Sequence, residues 1–460
     1  METVLDPFNG QVAGQYESAG PAAVDAAIAK AHSAFAHTRA MSGAQRSSLL
    51  SRIADLICGR REPLAQLIRK EAGKPIALAR AEVERAGQTF RFAAQQAAES
   101  HDRAIEMDAS PAGAHHTGIA RRVPIGVILG ISPFNFPLNL VAHKVAPCIA
   151  TGNTMVLKPS PRTPLAALAL AAILAEAGAP DGQIQIVPFD HRHVSTLLGN
   201  DAIKMLTFTG SAAVGWQLKG LAVRQKVTLE LGGNAAAIIH SDSAWAGVIP
   251  MLANAAFGYA GQSCISVQRI LVHSSIYDAF RDAFVRHVEK SIVTGDPASD
   301  ATINGPMIDA AARDRVLAWT REAIEHGARS ALPLRHEGNC LWPIILEDAP
   351  RDCRIVAEEA FGPVAVLSRY ADFDAALEET NASRYGLQAG VFTANLELAE
   401  RAWQRIDAGA VLVNQAPTFR VENMPYGGVK ESGFGREGIR YAMEEMTEWK
   451  TFIVRLPAAG

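Results

Sequence analysis

Apolar residues fall along this chain in two rhythms. After Gly20-Pro21, the positions Val24, Ile28, Ala31 and Phe35 recur about once per helical turn, which predicts an amphipathic helix with proline in its first turn. The same period runs through residues 45–59 and 62–98, with a break near Gly73-Lys74-Pro75. From Gly126 the rhythm changes to short β-rich runs alternating with helical stretches. Strands are predicted at 126–131 and 155–158, with helices from about Pro137 and Pro164. Further strands follow at 183–187, 204–208 and 226–229, each with room for a helix before it. That alternation is the mark of βαβ units and a mainly parallel sheet covered by helices. Runs at 235–239, 268–273 and 364–370 carry the pattern into a second α/β domain. Near the end, 450–456 alternates with Phe452, Val454 and Leu456 on one face. An extended apolar strand needs a neighbour, and a partner subunit's sheet is the expected one.

Composition narrows the class. The chain has 460 residues, enough for two or three domains, and is 48% hydrophobic and 20% charged, as expected of a globular protein rather than a disordered one. Its net charge of −3 carries no basic block, so no nucleic-acid partner is expected. The N-terminus shows no secretory signal and begins close to the first predicted element, so no leader or regulatory extension is expected. The longest apolar run, 165–175, is too short for a bilayer, which takes roughly 20 residues, and reads as a buried helix. Five scattered cysteines without CxxC spacing fit a reducing cytoplasm better than a disulfide framework. His115-His116 and His191/His193 match no metal signature, so no metal is expected.

Chemistry concentrates in a few glycine-rich runs. Cys264 lies in Gly261-Gln262-Ser263-Cys264-Ile265-Ser266, between a helical stretch and a strand. Small neighbours make a poor hydrophobic core, and loops held by rigid elements carry reactive groups; the ordinary alternative is a buried core cysteine. Glu230 ends a β-run and meets Gly232-Gly233, where open α/β sheets place ligand crevices, or else it is a surface glutamate. In Ser132-Pro133-Phe134-Asn135-Phe136-Pro137 a side-chain amide held between aromatics and prolines suits an oxyanion, and it can also make the turn into the next helix. Thr209-Gly210-Ser211, with Gly215 one turn on, places a strand end, a glycine and a helix N-terminus where a pyrophosphate binds. No GxGxxG accompanies it. Lys158, at a strand end, is a ribose or phosphate contact or an ordinary solvated lysine.

These runs, taken together, resemble the NAD(P)-dependent aldehyde dehydrogenase superfamily over essentially the whole length. The matches come in that family's order: Pro133-Phe134-Asn135-Phe136-Pro137, Lys158-Pro159-Ser160, Phe208-Thr209-Gly210-Ser211, Leu229-Glu230-Leu231-Gly232-Gly233-Asn234, Gly261-Gln262-Ser263-Cys264, Glu358-Glu359-Ala360-Phe361-Gly362-Pro363, and residues 425–433 from Pro425 to Gly433. The resemblance implies a Rossmann-type cofactor domain (1–105 and 125–231), a second α/β catalytic domain (232–444), and a small β oligomerisation arm (106–124 and 445–460) that would build a homodimer or homotetramer. It also implies roles. Cys264 would attack the aldehyde, with Asn135 and its own backbone N–H meeting the oxyanion. Glu230 would activate the hydrolytic water, with Lys144 and Glu437 as a proton relay behind it. Ser132, Phe134, Lys158, Ser160, Gly210, Ser211, Gly215, Leu231, Glu359 and Phe361 would hold NAD or NADP.

Glu230 discriminates within the family, because members that release an acyl-CoA lack this base; a catalytically silent dinucleotide-binding homologue would be expected to lack Cys264 or Asn135. One departure concerns the cofactor. The position three after Lys158, often a glutamate in NAD-preferring members, is Pro161, followed by Arg162, so no carboxylate there repels a 2′-phosphate. The resemblance lines the substrate pocket with Phe136, Asn139, His143, Ser263, Ile265, Arg420 and Tyr426. The run Arg420-Val421-Glu422-Asn423-Met424-Pro425 is similar to a subgroup acting on lactaldehyde, phosphonoacetaldehyde and related small polar aldehydes; Ser263, where phosphonate-handling relatives carry arginine, weighs against a phosphonate. Arg420 itself reads either as a substrate-carboxylate ligand or as a surface salt-bridge partner.

Overall fold

The computed structural model describes residues 1–99 and 101–457. Residues 458–460, the end of the expected arm, lie outside them.

Five parallel strands build the first sheet, in the spatial order Lys226–Glu230, Ile203–Thr209, Val127–Ile131, Thr154–Lys158, Ile184–Ile186. The order reverses between Val127–Ile131 and Ile203–Thr209, so their carboxyl ends open the crevice where doubly wound sheets bind ligands. Gly433–Phe434 adds a short antiparallel edge beside Glu230. One face is covered by the helices Gly43–Gly59, Arg61–Ala72, Ile76–Ala98, Asn139–Thr151 and Leu165–Glu176. Pro21–Ala40, Val194–Leu197 and Ala212–Leu221 cover the other. The apolar run expected to form a buried helix does so along one face, with Ala166, Ala167, Leu170, Ile173 and Leu174 buried.

The second sheet has seven strands, in the order Arg329–Ser330, Ile344–Glu347, Val364–Tyr370, Val267–His273, Ala235–Ile239, Gln388–Phe392, Ala410–Val413. All but the first run parallel. Three were expected from sequence. Arg329–Ser330, Ile344–Glu347, Gln388–Phe392 and Ala410–Val413 were not, because three of them are four residues or shorter and Gln388–Phe392 carries alanine and glycine where β-branched residues would have signalled a strand.

Carboxyl ends of the first sheet face amino ends of the second. The chain crosses between them in residues 231–234, and the crossing is bonded at each position. The Leu231 N–H donates to the Ser432 carbonyl at 2.9 Å, the Ser432 hydroxyl to the Gly232 carbonyl at 2.7 Å, and the Gly233 N–H to Glu359 Oε1 at 2.9 Å. The Asn234 amide donates to the carbonyls of Val356 and Glu358, at 2.7 and 3.1 Å.

Two buried carboxylates tie helix starts to this frame. Glu71 accepts from the N–H groups of Leu165 and Ala166 at 2.7 and 2.9 Å, satisfying donors the helix leaves free. Glu82 accepts from Leu138 and Asn139 at 2.9 and 3.1 Å, directly after the Asn135 run, while its other oxygen pairs with buried Lys74. The helix therefore starts at Asn139, two residues after the expected Pro137.

Thr447–Arg455 does not wait for a neighbour. It pairs antiparallel with His116–Pro124 over all nine residues, and Arg103–Ile105 flanks the far side. Its other edge carries no strand among the described residues, and Phe452, Ile453 and Val454 are exposed there.

Candidate functional site

Cys264 sits on a tight approach to the strand Val267–His273. Tyr259 and Ala260 both have φ of 54° and Gly261 has 65°, so three consecutive residues are left-handed and two of them are not glycine. Such strain persists only where surroundings over-determine it, and it clusters at functional loops. A Cβ on Gly261 would lie 2.1 Å from the Gly362 carbonyl oxygen, and one on Gly233 would lie 2.1 Å from that of Cys264. Only glycine allows the Glu230 crossing to press this closely on the cysteine loop.

The loop and the Asn135 run meet through Gln262. Asn135 Nδ2 donates to the Gln262 carbonyl at 3.0 Å, which fixes the amide's orientation and leaves its second N–H free. Fully buried Gln262 is clamped in turn, donating to the Tyr259 and Pro306 carbonyls and accepting from the Ile308 N–H at 2.8 Å. Sequence reasoning passed over Gln262, although it adjoins the cysteine.

Burial pushes the Cys264 thiol up to about 12, and the Glu359 and Glu230 carboxyls reinforce this. The hydrogen bond between Sγ and the Tyr426 hydroxyl, 3.2 Å apart, and the Arg420 charge oppose it. Glu230 is buried at 3% exposure rather than on the surface, and neither carboxylate oxygen has a partner. Burial holds it well above the usual carboxylate range, Glu437 adds to this, and Arg420, Lys144 and Arg436 oppose it. Glu437 is the counterpart. Burial pushes it up, but Lys144 Nζ at 3.1 Å, His143 and Arg420 outweigh that and hold it below the usual range. Lys144 also donates to Thr207 Oγ1 at 3.0 Å. Two buried carboxyls pushed in opposite directions, one bonded to Lys144 and the other without a partner, make an arrangement suited to handing on a proton.

Across the crevice, burial pushes the half-buried Glu359 up to about 7, against the Gly233 N–H bond and Arg315. Phe361, at φ 44°, sets its ring edge-on to Phe134 with centroids 5.8 Å apart. Ser132 Oγ is buried without a partner. Gly210 and Ser211 lead into the helix Ala212–Leu221, where Gly215 packs against Leu231. Lys158 is 5% exposed, so the solvated reading is corrected: the strand end is covered, and burial lowers its pKa. Ser160 Oγ accepts from the Arg162 N–H at 3.2 Å, and the Arg162 guanidinium pairs with Asp309 at 2.7 Å. No carboxylate occupies position 161. A helix N-terminus, the unpartnered Ser132 hydroxyl and a buried lysine fit a dinucleotide.

The expected substrate lining divides. Ile265 and Tyr426 cluster against Cys264 together with Leu387, and Ser263 is half-buried beside them. Phe136 packs edge-on to Tyr259 and lies under Lys74 Nζ at 3.6 Å. Asn139 turns away, its Oδ1 accepting from Thr89 Oγ1 at 3.1 Å inside the helical layer. Arg420 is no surface residue: its side chain is 6% exposed. It stacks over the Tyr426 ring at 3.7 Å, donates to His143 Nδ1 at 2.9 Å, and lies 3.6 Å from Glu437, while its Nε is buried without a partner. The other nitrogen of His143 abuts Glu422, which Arg85 also holds at 2.6 Å. Burial and Arg420 lower the His143 pKa, with Glu422 and Glu437 opposing. Glu422 and Arg85 were missed: they lie 337 residues apart, and no local pattern links them.

Comparisons with known proteins agree with this geometry. The model of the family described as "Aldehyde dehydrogenase family" matches residues 2–452. The chain is 40% identical over 454 residues to the 3-sulfolactaldehyde dehydrogenase of Priestia aryabhattai, covering 98% of this chain and 94% of that one. It is similar to the crystal structure of aldehyde dehydrogenase 21 from Physcomitrella patens in complex with the reaction product succinate (TM-score 0.96, 39% identity, covering 99% of this chain and 95% of that one). It is similar too to glyceraldehyde-3-phosphate dehydrogenase GapN from Methanocaldococcus jannaschii complexed with NADP (TM-score 0.95, 34% identity, covering 99% of both chains).

Proposed function

This chain belongs to the aldehyde dehydrogenase family, an NAD(P)-dependent oxidoreductase acting on aldehydes, and from that premise we propose that its site converts a small polar, anionic aldehyde to the free carboxylic acid. The observation that carries free-acid release is Glu230, buried and unpartnered beside the Cys264 loop. In this reading Cys264 Sγ attacks the aldehyde carbon, and the C=O pair moves onto oxygen, met by the free Asn135 N–H and the Cys264 backbone N–H. NAD(P)+, when bound, supplies the hydride acceptor. Glu359 would hold its nicotinamide ribose with Phe361 packed nearby, and Gly210 and Ser211 would take the pyrophosphate. Lys158 would meet the adenosine ribose, Ser160 would lie beside it, and Ser132, Phe134, Gly215 and Leu231 would complete the crevice. Glu230 then takes a proton from water as its oxygen bonds to the thioester carbon, the C–S bond breaks with its electron pair returning to Cys264 Sγ, and Lys144 with Glu437 relays the proton onward.

An anionic substrate is supported by the relatives, one named for a sulfonated aldehyde and one holding succinate, and by Arg420. Its partly unsatisfied guanidinium, braced by His143 and stacked on Tyr426, would bind the substrate's anionic group. Replacing Arg420 with Ala is expected to lower kcat/KM for carboxylate- or sulfonate-bearing aldehydes about 10- to 100-fold more than for neutral aldehydes of equal length. An unchanged ranking would remove the binding role.

Cofactor choice enters the same assay. Absorbance of the reduced dinucleotide, followed with an aldehyde panel and each of NAD and NADP, is expected to show turnover with both, because no carboxylate repels the 2′-phosphate. No detectable NADP activity would reject that expectation.

A homo-oligomer is proposed from the uncovered edge of Thr447–Arg455, and the division into cofactor domain, catalytic domain and arm from the sheets of six, seven and three strands. The short strand Arg103–Ile105 joins the arm's sheet, a little before the proposed boundary at 106. A cytoplasmic setting is supported by five free cysteines; no described helix is long and apolar enough to cross a membrane.

A further inference from the structure

Tyr426 was expected to do no more than line the substrate pocket, yet its hydroxyl lies 3.2 Å from Cys264 Sγ. The ring is 4% exposed and closed in by Ile265 and Leu387, with the Arg420 guanidinium 3.7 Å above its face. Its backbone is tied on both sides to Glu437, N–H to carbonyl at 3.0 Å and carbonyl to N–H at 2.7 Å. The hydroxyl therefore cannot drift from the sulfur. In such a slot a phenylalanine would pack as well, and a buried hydroxyl is costly unless it is bonded. Against a thiolate, which has no proton to give, the phenol can only donate.

We infer, resting on the reading of Cys264 as the nucleophile, that the Tyr426 hydroxyl is a further catalytic group, donating a hydrogen bond to the Cys264 thiolate and so favouring the reactive form of the sulfur. The phenol neither loses nor gains a proton in any step. Charged and titratable groups around the pair divide in sign. The Glu359 and Glu230 carboxyls oppose a thiolate, and Arg420 favours it; Tyr426 itself faces Cys264, Glu230 and Arg420. Burial holds the phenol well above its ordinary value, so it remains a donor. The cation over the ring withdraws electron density and strengthens the O–H as a donor.

Tyr426→Phe removes one oxygen and keeps the ring. The full-length enzyme is alkylated with iodoacetamide between about pH 6 and 10, and modification is read by mass spectrometry on the peptide bearing Cys264. Exposed Cys58 serves as the internal standard. The Cys264 profile is expected to move up by about one pH unit while that of Cys58 stays in place. Because this whole window lies below the raised value of the thiol, kcat/KM should fall about tenfold for every aldehyde alike at each pH. An unmoved Cys264 profile overturns the inference, as does a loss confined to KM for hydroxylated or anionic aldehydes. Turnover surviving Cys264→Ala would instead remove the nucleophile reading beneath it; an inactive Cys264→Ala enzyme with an unmoved Tyr426→Phe profile removes this inference alone.

Discussion

Cys264→Ala is expected to lower aldehyde turnover by about 10⁴-fold or more while NAD(P)+ affinity stays within about twofold. Nothing else in the site can replace the sulfur. Asn135 and the backbone amide stabilise charge that arises only when a nucleophile attacks, so without Sγ their contribution has no transition state to act on. Cofactor binding should survive because Gly210, Ser211, Lys158 and Glu359 stand on other elements, and the Cys264 carbonyl, which packs against Gly233, is kept in the variant. Isothermal titration with the dinucleotide, beside the absorbance assay, separates the two effects. Residual turnover above about a hundredth of the parent would refute the assignment.

The second large effect belongs to Glu230→Gln. The first half-reaction uses Cys264 and the hydride acceptor, and the carboxylate enters when water must be deprotonated. The variant is expected to release about one equivalent of reduced cofactor per active site and then slow about 10²- to 10⁴-fold, with acyl-enzyme accumulating on Cys264. Mass spectrometry of the stalled protein reads the adduct directly. Uninterrupted steady-state turnover would exclude Glu230 as the base. The pH dependence carries a sign. Burial raises Glu230, so its protonated, inactive form persists above the ordinary carboxylate range, and deacylation should climb as pH rises through that raised value. The glutamine variant should lose that climb. Were the natural acyl acceptor the thiol of CoA, removing the carboxylate would leave CoA-dependent turnover intact, and the same experiment distinguishes that case.

Much of this site could be read before any coordinates, because it lies on strand ends flanked by small residues. Glycines at 210, 232, 233 and 261 mark where backbone approaches backbone, with Glu230 and Cys264 close by in the chain, whereas Asn135 is set off by its prolines and phenylalanines. Burial was harder to read. Lys158 and Glu230 look like solvated strand ends until later chain packs on them, Phe189 beside Lys158 and the run 427–433 beside Glu230. A charge at a strand terminus says nothing about what packs against it 30 to 200 residues later. Arg420 misled for the same reason: its partners His143 and Glu437 come from distant elements, and a pattern one turn long cannot contain them. The unforeseen strand Gln388–Phe392 fails on composition, since alanine and glycine in a fully covered strand need no alternating face, and the four-residue edge Ala410–Val413 is too short to show one.

The crossing at 231–234 works as a strut. With each of its residues bonded to Ser432, Glu359 or the 356–358 turn, the two sheets cannot pivot there without breaking several hydrogen bonds at once. Sulfur and base therefore keep their spacing through the whole cycle, and only small molecules trade places between them. The same stitching makes the catalytic centre part of the last structure to open, so the site cannot fray ahead of the fold: its amides should exchange with solvent at the pace of global unfolding.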